Sequence, residues 1–228
     1  MNMMIPDFEG GNVRRLPVYL LLDCSTSMQG HPIMAVNEGL NMIYRQLMND
    51  LRAQDTVHIS LIRFASQATQ DPLTPLLHFQ PPILTANGNT ALGAALQLLV
   101  QSIREDLVVN TMQRHGDYRP LAFLLTDGEP NDHYKDAVYQ LHQLRGNQRP
   151  TMIALGCGNN VKESTLREIA EPSNVFLMQN VSSESIKKFF QWMSGSIIQT
   201  ANAGGAFAPT VYAMPDGTVR ASDGPPRY

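Results

Sequence analysis

Oxygen-bearing side chains follow the first apolar run of this 228-residue chain. Asp23, Ser25 and Ser27 occupy alternate positions directly after the run from Pro17 to Leu22. One carboxylate and two hydroxyls at the end of a strand suit a small divalent cation such as Mg²⁺, which takes hard oxygen ligands. The same residue types also cap helices. The segment alone therefore leaves both interpretations open.

Two later segments carry oxygen donors in similar settings. Thr90 stands just before an amphipathic stretch that begins at Ala91. Asp127 comes at the end of a second apolar strand and directly precedes Gly128. In open α/β sheets the carboxyl ends of the strands form the binding crevice, so Asp23 and Asp127 are expected side by side at one edge. We therefore predict a metal site formed by Asp23, Ser25, Ser27, Thr90 and Asp127.

The composition limits the classes of protein to consider. A content of 43% hydrophobic residues is enough for a single core. A formal charge of −3 does not indicate binding to nucleic acid or to an anionic membrane. No apolar run is long enough to span a bilayer, and the first residues do not resemble a secretory signal. Two cysteines do not make a disulfide framework, which favours a cytoplasmic protein.

Apolar strands alternate with amphipathic helices, a pattern typical of a parallel sheet covered on both faces. We predict an α/β fold with a doubly wound, mostly parallel central sheet of about six strands, one antiparallel edge strand and flanking helices. The predicted strands are 17–22, 56–64, one within 66–79, 121–125, 151–155 and 175–178. The predicted helices are 32–51, 91–105, one beginning near 132, 163–170 and 183–198.

Three of these strands share a starting signature. Pro17, Pro120 and Pro150 each precede an apolar run, and an arginine stands one or two positions before each proline. Proline is tolerated at the first position of a strand, where no ladder donor is needed. The signature therefore supports three strands of similar design.

The character of the chain changes near residue 200. Residues 200–228 are rich in Gly, Ala and Pro, and the turn sequence 215–218 predicts a small hairpin in this tail. We expect an N-terminal extension at 1–15, a domain at 16–199 and a tail at 200–228. Whether the tail docks on the domain or binds a partner stays open.

The five candidate ligands, in their order, resemble the metal-ion-dependent adhesion site of von Willebrand factor A domains. The surrounding sequence is similar to that of TerY-type members of this family, bacterial proteins associated with tellurium resistance and stress. The match spans about residues 16 to 198. The segments that carry the closer resemblance are 15–23, 32–33, 37–40, 73–76 and 116–121.

The resemblance implies a non-enzymatic domain that binds Mg²⁺, or alternatively Mn²⁺ or Ca²⁺. It implies direct ligation by Ser25 and Ser27, ligation by Thr90 directly or through water, and contacts of Asp23 and Asp127 with the cation or its waters. Such a set leaves the cation poorly neutralised and one coordination position open. A Glu or Asp of a protein partner can take that position.

The resemblance also implies partners and a setting. These are a Ser/Thr kinase-like protein and a PP2C-type phosphatase, acting in a bacterial stress or tellurite-resistance type of signalling. These partners follow from the resemblance alone, and no residue of the chain indicates them independently.

Three residues depart from the commonest pattern of the family. Thr26 and Asn89 stand where glycine is more usual, and their smaller backbone freedom predicts weaker affinity for the cation. Cys24 follows the first acid and is expected to fill space behind the loop. The alternative is a redox or soft-metal sensor formed with Cys157.

Other roles compete with the metal interpretation. Glu129 and Asp132 are interpreted as acids at a helix start, and the alternatives are contacts that support the metal ligands or contacts with a partner. A structural scaffold with a vestigial metal site is the main rival function. A metal-dependent phosphotransferase is less favoured, because Ser25 stands where an aspartate-nucleophile enzyme carries a second acid. The chain has no phosphate-binding loop motif and no histidine placed to activate Ser25, so we predict that it is not an enzyme.

Overall fold

A mostly parallel β-sheet forms the centre of the fold, and helices cover both of its faces. The structure is a computed structural model, and it describes residues 13–113, 115–179, 182–206 and 218–220. The parallel strands are β1 (Leu16–Asp23), β2 (Val57–Phe64), β5 (Leu121–Thr126), β6 (Thr151–Cys157) and β7 (Val175–Met178). Short antiparallel strands are β3 (Ala68–Gln70), β4 (Thr74–Pro75) and β8 (Thr218–Arg220).

The strand order creates a switch point beside β1. The order is β3-β2-β1-β5-β6-β7-β8, and β4 also pairs with β2. From β1 the chain first moves outward to β2 and later returns to the other side of β1 to form β5. The predicted doubly wound α/β fold is confirmed, with antiparallel strands at both edges of the sheet where one was predicted. The carboxyl ends of β1 and β5 are therefore the expected position of a binding crevice.

Six α-helices lie within the described residues. They are α1 (His31–Leu47), α2 (Leu51–Thr56), α3 (Leu92–Asp106), α4 (Lys135–Gln143), α5 (Glu163–Ile169) and α6 (Ser183–Asn202). One apolar cluster joins α1, α2 and α6 to one face of the sheet, and a second joins α3, α4 and α5 to the other. None of these helices is long and apolar enough to cross a membrane.

Strand β1 shows why the sheet needs both layers. Val18, Leu20 and Leu22 belong to the cluster with α1 and α6, whereas Tyr19 and Leu21 belong to the cluster with α3. Successive side chains of a strand point to opposite faces, so a strand covered on both faces is apolar throughout. All eight residues of β1 are buried, so packing on both faces fixes the position of Asp23 at the end of the strand.

Two predicted helices differ from the observed ones. The helix predicted over 32–51 is two helices, because the Asp50 side chain accepts a hydrogen bond from the backbone N–H of Ala53 (2.8 Å) and caps a new start. Leu51, the last residue of the predicted helix, consequently belongs to α2 and is 78% exposed. The helix predicted from Asp132 begins at Lys135.

The tail was predicted to form a hairpin around residues 215–218. Most of that segment lies outside the described residues. Its described part, Thr218–Arg220, pairs antiparallel with β7 and extends the central sheet.

Candidate metal centre

The five predicted ligands are held by three loops at the carboxyl edge of the sheet. Asp23 is the last residue of β1, and Ser25 and Ser27 follow in a short turn. Asp127 comes directly after β5, the neighbour of β1. Thr90 precedes α3. The topology therefore delivers all five residues to the switch point of the sheet.

Three of the side chains form a continuous row of oxygen atoms. Ser25 Oγ and Ser27 Oγ lie 2.9 Å apart, and Ser27 Oγ donates a hydrogen bond to Asp127 Oδ1 over 2.6 Å. Thr90 borders the same group, since a Cβ placed on Gly128 would lie 3.3 Å from Thr90 Oγ1. Thr90 and Ser25 are buried, whereas Ser27 is exposed and Asp127 is half-buried. The row is thus open to solvent on the side of Ser27 and Asp127.

Asp23 is fully buried and fixes the first loop. Its Oδ1 accepts a hydrogen bond from the backbone N–H of Ser25 (2.8 Å), and its Oδ2 accepts one from Thr126 Oγ1 (2.6 Å). Thr126 was not among the predicted site residues. The signal for it is the parallel register: Leu22 pairs with Leu125, so the next residues, Asp23 and Thr126, meet at the strand ends.

Thr26 joins the first loop to the loop before Thr90. Its hydroxyl donates to the Gly88 carbonyl and accepts from the Gly88 N–H, both over 2.9 Å, and its own N–H donates to the same carbonyl. Gly88 has φ +89°, and a Cβ there would collide with Ser66, so only glycine fits. Thr26, which departs from the family's usual glycine and was predicted to weaken cation affinity, therefore also positions the loop before Thr90. Its effect on affinity stays a prediction.

Asn131 positions Thr90 and is a second residue that sequence reasoning missed. Its backbone N–H donates to the Thr90 carbonyl over 3.1 Å. With the amide oriented to satisfy both groups, its side chain donates to the same carbonyl and accepts from the Thr90 N–H. Nothing in the local sequence announces this contact, because it joins two loops that are distant along the chain.

Glu129 and Asp132 accept hydrogen bonds at the starts of helices. These helices are not α4, the helix that follows the two acids in the chain. Asp132 accepts from the N–H groups of Gly93 (2.8 Å) and Ala94 (2.9 Å) in the first turn of α3. Glu129 accepts from the N–H of Lys162 (2.6 Å) and from the Thr165 hydroxyl (3.0 Å) at the start of α5. Both acids therefore satisfy unpaired backbone donors of neighbouring helices and brace the Asp127 loop.

The two site carboxylates carry charge that the described residues do not neutralise. Burial raises the pKa of Asp23, while hydrogen bonds from Ser25 and Thr126 act in the opposite direction. Burial also raises the pKa of Asp127, and the nearby charge of Asp23 raises it further. Within the described part of the chain, no Lys or Arg forms an ion pair with either group. A cation between the loops would relieve this imbalance.

The donor set fits a small, hard cation. Oxygen ligands at the Mg²⁺ distance of about 2.0–2.1 Å in an octahedron stand about 2.9 Å from each neighbour. The spacings of 2.9 and 2.6 Å along the row of Ser25, Ser27 and Asp127 are also those of ordinary O–H···O hydrogen bonds, so they bring the oxygens together without selecting one divalent cation. Among the described residues, no cluster of three or more His, Cys, Asp and Glu could hold a metal, so the donor set depends on hydroxyls.

The two cysteines are free thiols buried near this edge. Cys24 is 6% exposed and Cys157 is 1% exposed. Burial, followed by the charge of Asp23, raises the pKa of Cys24 to about 11. Burial, followed by the charges of Asp127 and Asp23, raises the pKa of Cys157 to about 12. Such thiols are poor nucleophiles and poor soft-metal ligands at neutral pH, which favours the packing interpretation of Cys24.

The family of the chain follows from a match to a family model. Residues 18–192 match the von Willebrand factor type A domain, and the chain belongs to that family. Domains of this family are generally metal-dependent protein-interaction modules. Among proteins with curated descriptions, none matches the chain.

Solved structures share the fold at low sequence identity. A von Willebrand factor type A protein from Catenulispora acidiphila has a TM-score of 0.59 at 17% identity, over 81% of this chain and 43% of that one. Proximal thread matrix protein 1 from the mussel byssus, solved with a zinc-occupied MIDAS motif, gives 0.56 at 19% identity, over 82% and 46%. BatB from Bacteroides thetaiotaomicron gives 0.53 at 17% identity, over 82% and 99%. The chain thus spans less than half of the first two proteins.

Proposed function

We propose that this chain is a metal-ion-dependent protein-interaction domain of the TerY type. Asp23, Ser25, Ser27, Thr90 and Asp127 hold a divalent cation, with Mg²⁺ as the first candidate and Mn²⁺ or Ca²⁺ as the alternatives. A Glu or Asp side chain of a protein partner takes the open coordination position. The row from Ser25 Oγ through Ser27 Oγ to Asp127 Oδ1, beside carboxylates without a described cationic partner, carries this proposal.

The burial of the ligands supports a direction of approach for the partner. Ser25 and Thr90 are buried, whereas Ser27 is exposed and Asp127 is half-buried. A partner carboxylate therefore reaches the cation past Ser27 and Asp127. The cation supplies the positive charge that binds this carboxylate, and the chain's residues hold the cation.

The contacts of the site support binding rather than catalysis. Both carboxylate oxygens of Asp23 accept hydrogen bonds from the chain itself, so Asp23 is not presented as a nucleophile. The Ser25 hydroxyl bonds to Ser27, and no histidine among the described residues bonds to it. Activation of Ser25 would require such a base.

The finer assignment rests on the TerY-type resemblance of segments such as 15–23 and 116–121. It places the protein in bacterial stress or tellurite-resistance signalling, with a Ser/Thr kinase-like protein and a PP2C-type phosphatase as partners. The proposed binding domain covers 16–199, with extensions at 1–15 and 200–228. The two buried free thiols support a reducing, cytoplasmic setting.

A pull-down from bacterial lysate in Mg²⁺ and in EDTA tests the proposal. Wild-type protein should retain partners in Mg²⁺ and release them in EDTA. Ser27→Ala removes an exposed ligand without opening the core and should behave in Mg²⁺ as the wild type does in EDTA. Ser164→Ala, at an exposed position on α5, is the matched control and should bind as the wild type does.

Two results would overturn the proposal. The first is a set of retained proteins that EDTA and Ser27→Ala both leave unchanged, as expected of a scaffold with a vestigial site. The second is calorimetry in which neither Mg²⁺ nor Mn²⁺ binds the purified chain.

A further inference from the structure

A second concave site lies at the amino edge of the sheet, opposite the candidate metal centre. A cavity of about 360 Å³ opens between α4, α5 and the starts of β5 and β6. Arg119 and Arg149, two of the arginines in the strand-start signature, line it together with His142. The metal site uses none of these residues.

The register of the sheet places the two arginines side by side. Leu121 of β5 pairs with Thr151 of β6, and the Thr151 N–H donates to the Pro120 carbonyl over 2.8 Å. Arg119 and Arg149 stand at matching positions, each one residue before its proline. Both guanidinium groups are permanently charged, so this pairing concentrates positive charge at one point of a chain whose formal charge is −3.

The described residues balance only one of these two charges. Glu171 Oε1 accepts from Arg149 Nη2 over 3.0 Å. Arg119 is exposed, and within the described part of the chain it forms no ion pair or hydrogen bond. His142 Nε2 donates to the Glu168 carbonyl over 2.7 Å, which fixes the imidazole at the cavity wall.

We propose that this cavity binds a small anionic molecule that carries phosphate or carboxylate groups. The fork of donors on arginine matches both of these groups. Leu141, Met152 and Ile169 supply an apolar wall for the rest of the molecule. The volume falls in the range of small-molecule sites, which combine apolar walls with a few placed polar groups.

Glu171 gives the proposal a distinguishing feature. It is the acid that competes with an incoming anion for Arg149. Removal of its charge therefore strengthens anion binding, whereas removal of the Arg119 charge weakens it. A site of purely diffuse positive charge would respond to any arginine of the surface in the same way.

The test is calorimetric titration of metal-free protein with inorganic pyrophosphate and, separately, with citrate at constant ionic strength. The wild type should bind at least one of the two saturably, with one molecule per chain. Arg119→Gln should weaken this binding about tenfold, the usual effect of losing a charged hydrogen bond. Glu171→Gln should strengthen it severalfold. Arg52→Gln, an exposed position on α2 beneath the other face of the sheet, is the charge-matched control.

The two ligands separate the possible chemistries, since binding of pyrophosphate alone identifies a phosphate site and binding of citrate alone a carboxylate site. Absence of saturable binding of both would overturn the proposal. Equal weakening by Arg52→Gln and Arg119→Gln would also overturn it. Ser27→Ala should leave the anion affinity unchanged, which separates this result from the fate of the metal site.

Discussion

The two edges of the sheet hold buried carboxylates in opposite states of charge balance. At the amino edge, Asp117 is 3% exposed and accepts hydrogen bonds from Arg15 Nε (2.9 Å), Arg15 Nη2 (2.6 Å) and the Val108 N–H (2.8 Å). At the carboxyl edge, Asp23 accepts from the neutral N–H of Ser25 and the neutral hydroxyl of Thr126. One carboxylate thus has its own cation, whereas the other has neutral donors.

The difference shows what makes a buried acid structural or functional. The bond to Asp117 is the main cause of the raised pKa of Arg15, as expected of a closed ion pair. The raised pKa values of Asp23 and Asp127 show the reverse, since burial disfavours their charge and no described cation offsets it. Asp117 is neutralised within the chain by Arg15, whereas Asp23 and Asp127 are the groups that the proposed cation would neutralise.

The largest effect in this comparison is expected from Asp117→Asn. The variant leaves Arg15, whose side chain is 29% exposed, with a neutral partner in place of a carboxylate. Breaking a largely buried pair should lower the free energy of unfolding by about 3 kcal/mol. Urea unfolding in EDTA measures the change. Asp55→Asn, an exposed position on α2, is the control and should stay within about 0.5 kcal/mol of wild type.

A stability loss no greater than that of Asp55→Asn would contradict the view that the Arg15–Asp117 pair locks the amino edge. In that case the pair would contribute no more to stability than an exposed ion pair does.

The next effect is stabilisation by Mg²⁺ through the other edge. At a concentration one hundred times the dissociation constant, a bound cation should add about 2.7 kcal/mol to the free energy of unfolding. For a chain of this length the midpoint should rise by about 5 to 10 °C in a thermal scan. Ser27→Ala should lose most of this shift, whereas Asp117→Asn should keep it. A full shift in Ser27→Ala would remove Ser27 from the site.

Both edges of the sheet contain features that can be predicted from the sequence and features that cannot. Apolar runs, their alternation with helices and the placing of acids at strand ends predict the α/β sheet and the convergence of the five candidate ligands, because these depend on local patterns and on one topological rule. Their action as metal ligands stays a prediction.

Contacts between distant loops escape such reasoning. Asn131 holds Thr90, and Asp132 caps α3 although it precedes α4. Asp50 is a different case, because its contact with Ala53 is a local helix cap that begins a second helix within a continuous apolar pattern. The partners of Asn131 and Asp132, in contrast, are set by the packing of complete elements, which periodicity does not encode.

A smaller effect, of opposite sign to that at Asp117, is expected from Asp127→Asn in metal-free protein. The pKa of Asp127 is raised above its ordinary value of 3.8 in the folded state, so the folded protein binds more protons than the unfolded one just above that pH. The stability associated with this group is therefore present at low pH and is lost as pH rises through the folded-state pKa. Asparagine does not ionise and avoids this loss.

Asp127→Asn should consequently be slightly more stable than wild type at pH 7 in EDTA and less stabilised than wild type by Mg²⁺. Urea unfolding with and without the cation measures both signs. A variant that is less stable than wild type in both conditions would mean that Asp127 is a structural acid like Asp117.

The smallest effect concerns the thiols, which share the carboxyl edge with the unneutralised acids. With a pKa of about 11 for Cys24 and about 12 for Cys157, roughly a thousandth or less of either thiol is thiolate at pH 8. Native protein should therefore react with iodoacetamide far more slowly than protein unfolded in urea, as mass spectrometry can follow. Mg²⁺ should change this little, because burial is the first cause of both shifts. Rapid labelling of Cys24 in folded protein would instead support the redox or soft-metal role, because only an accessible thiolate reacts at that rate.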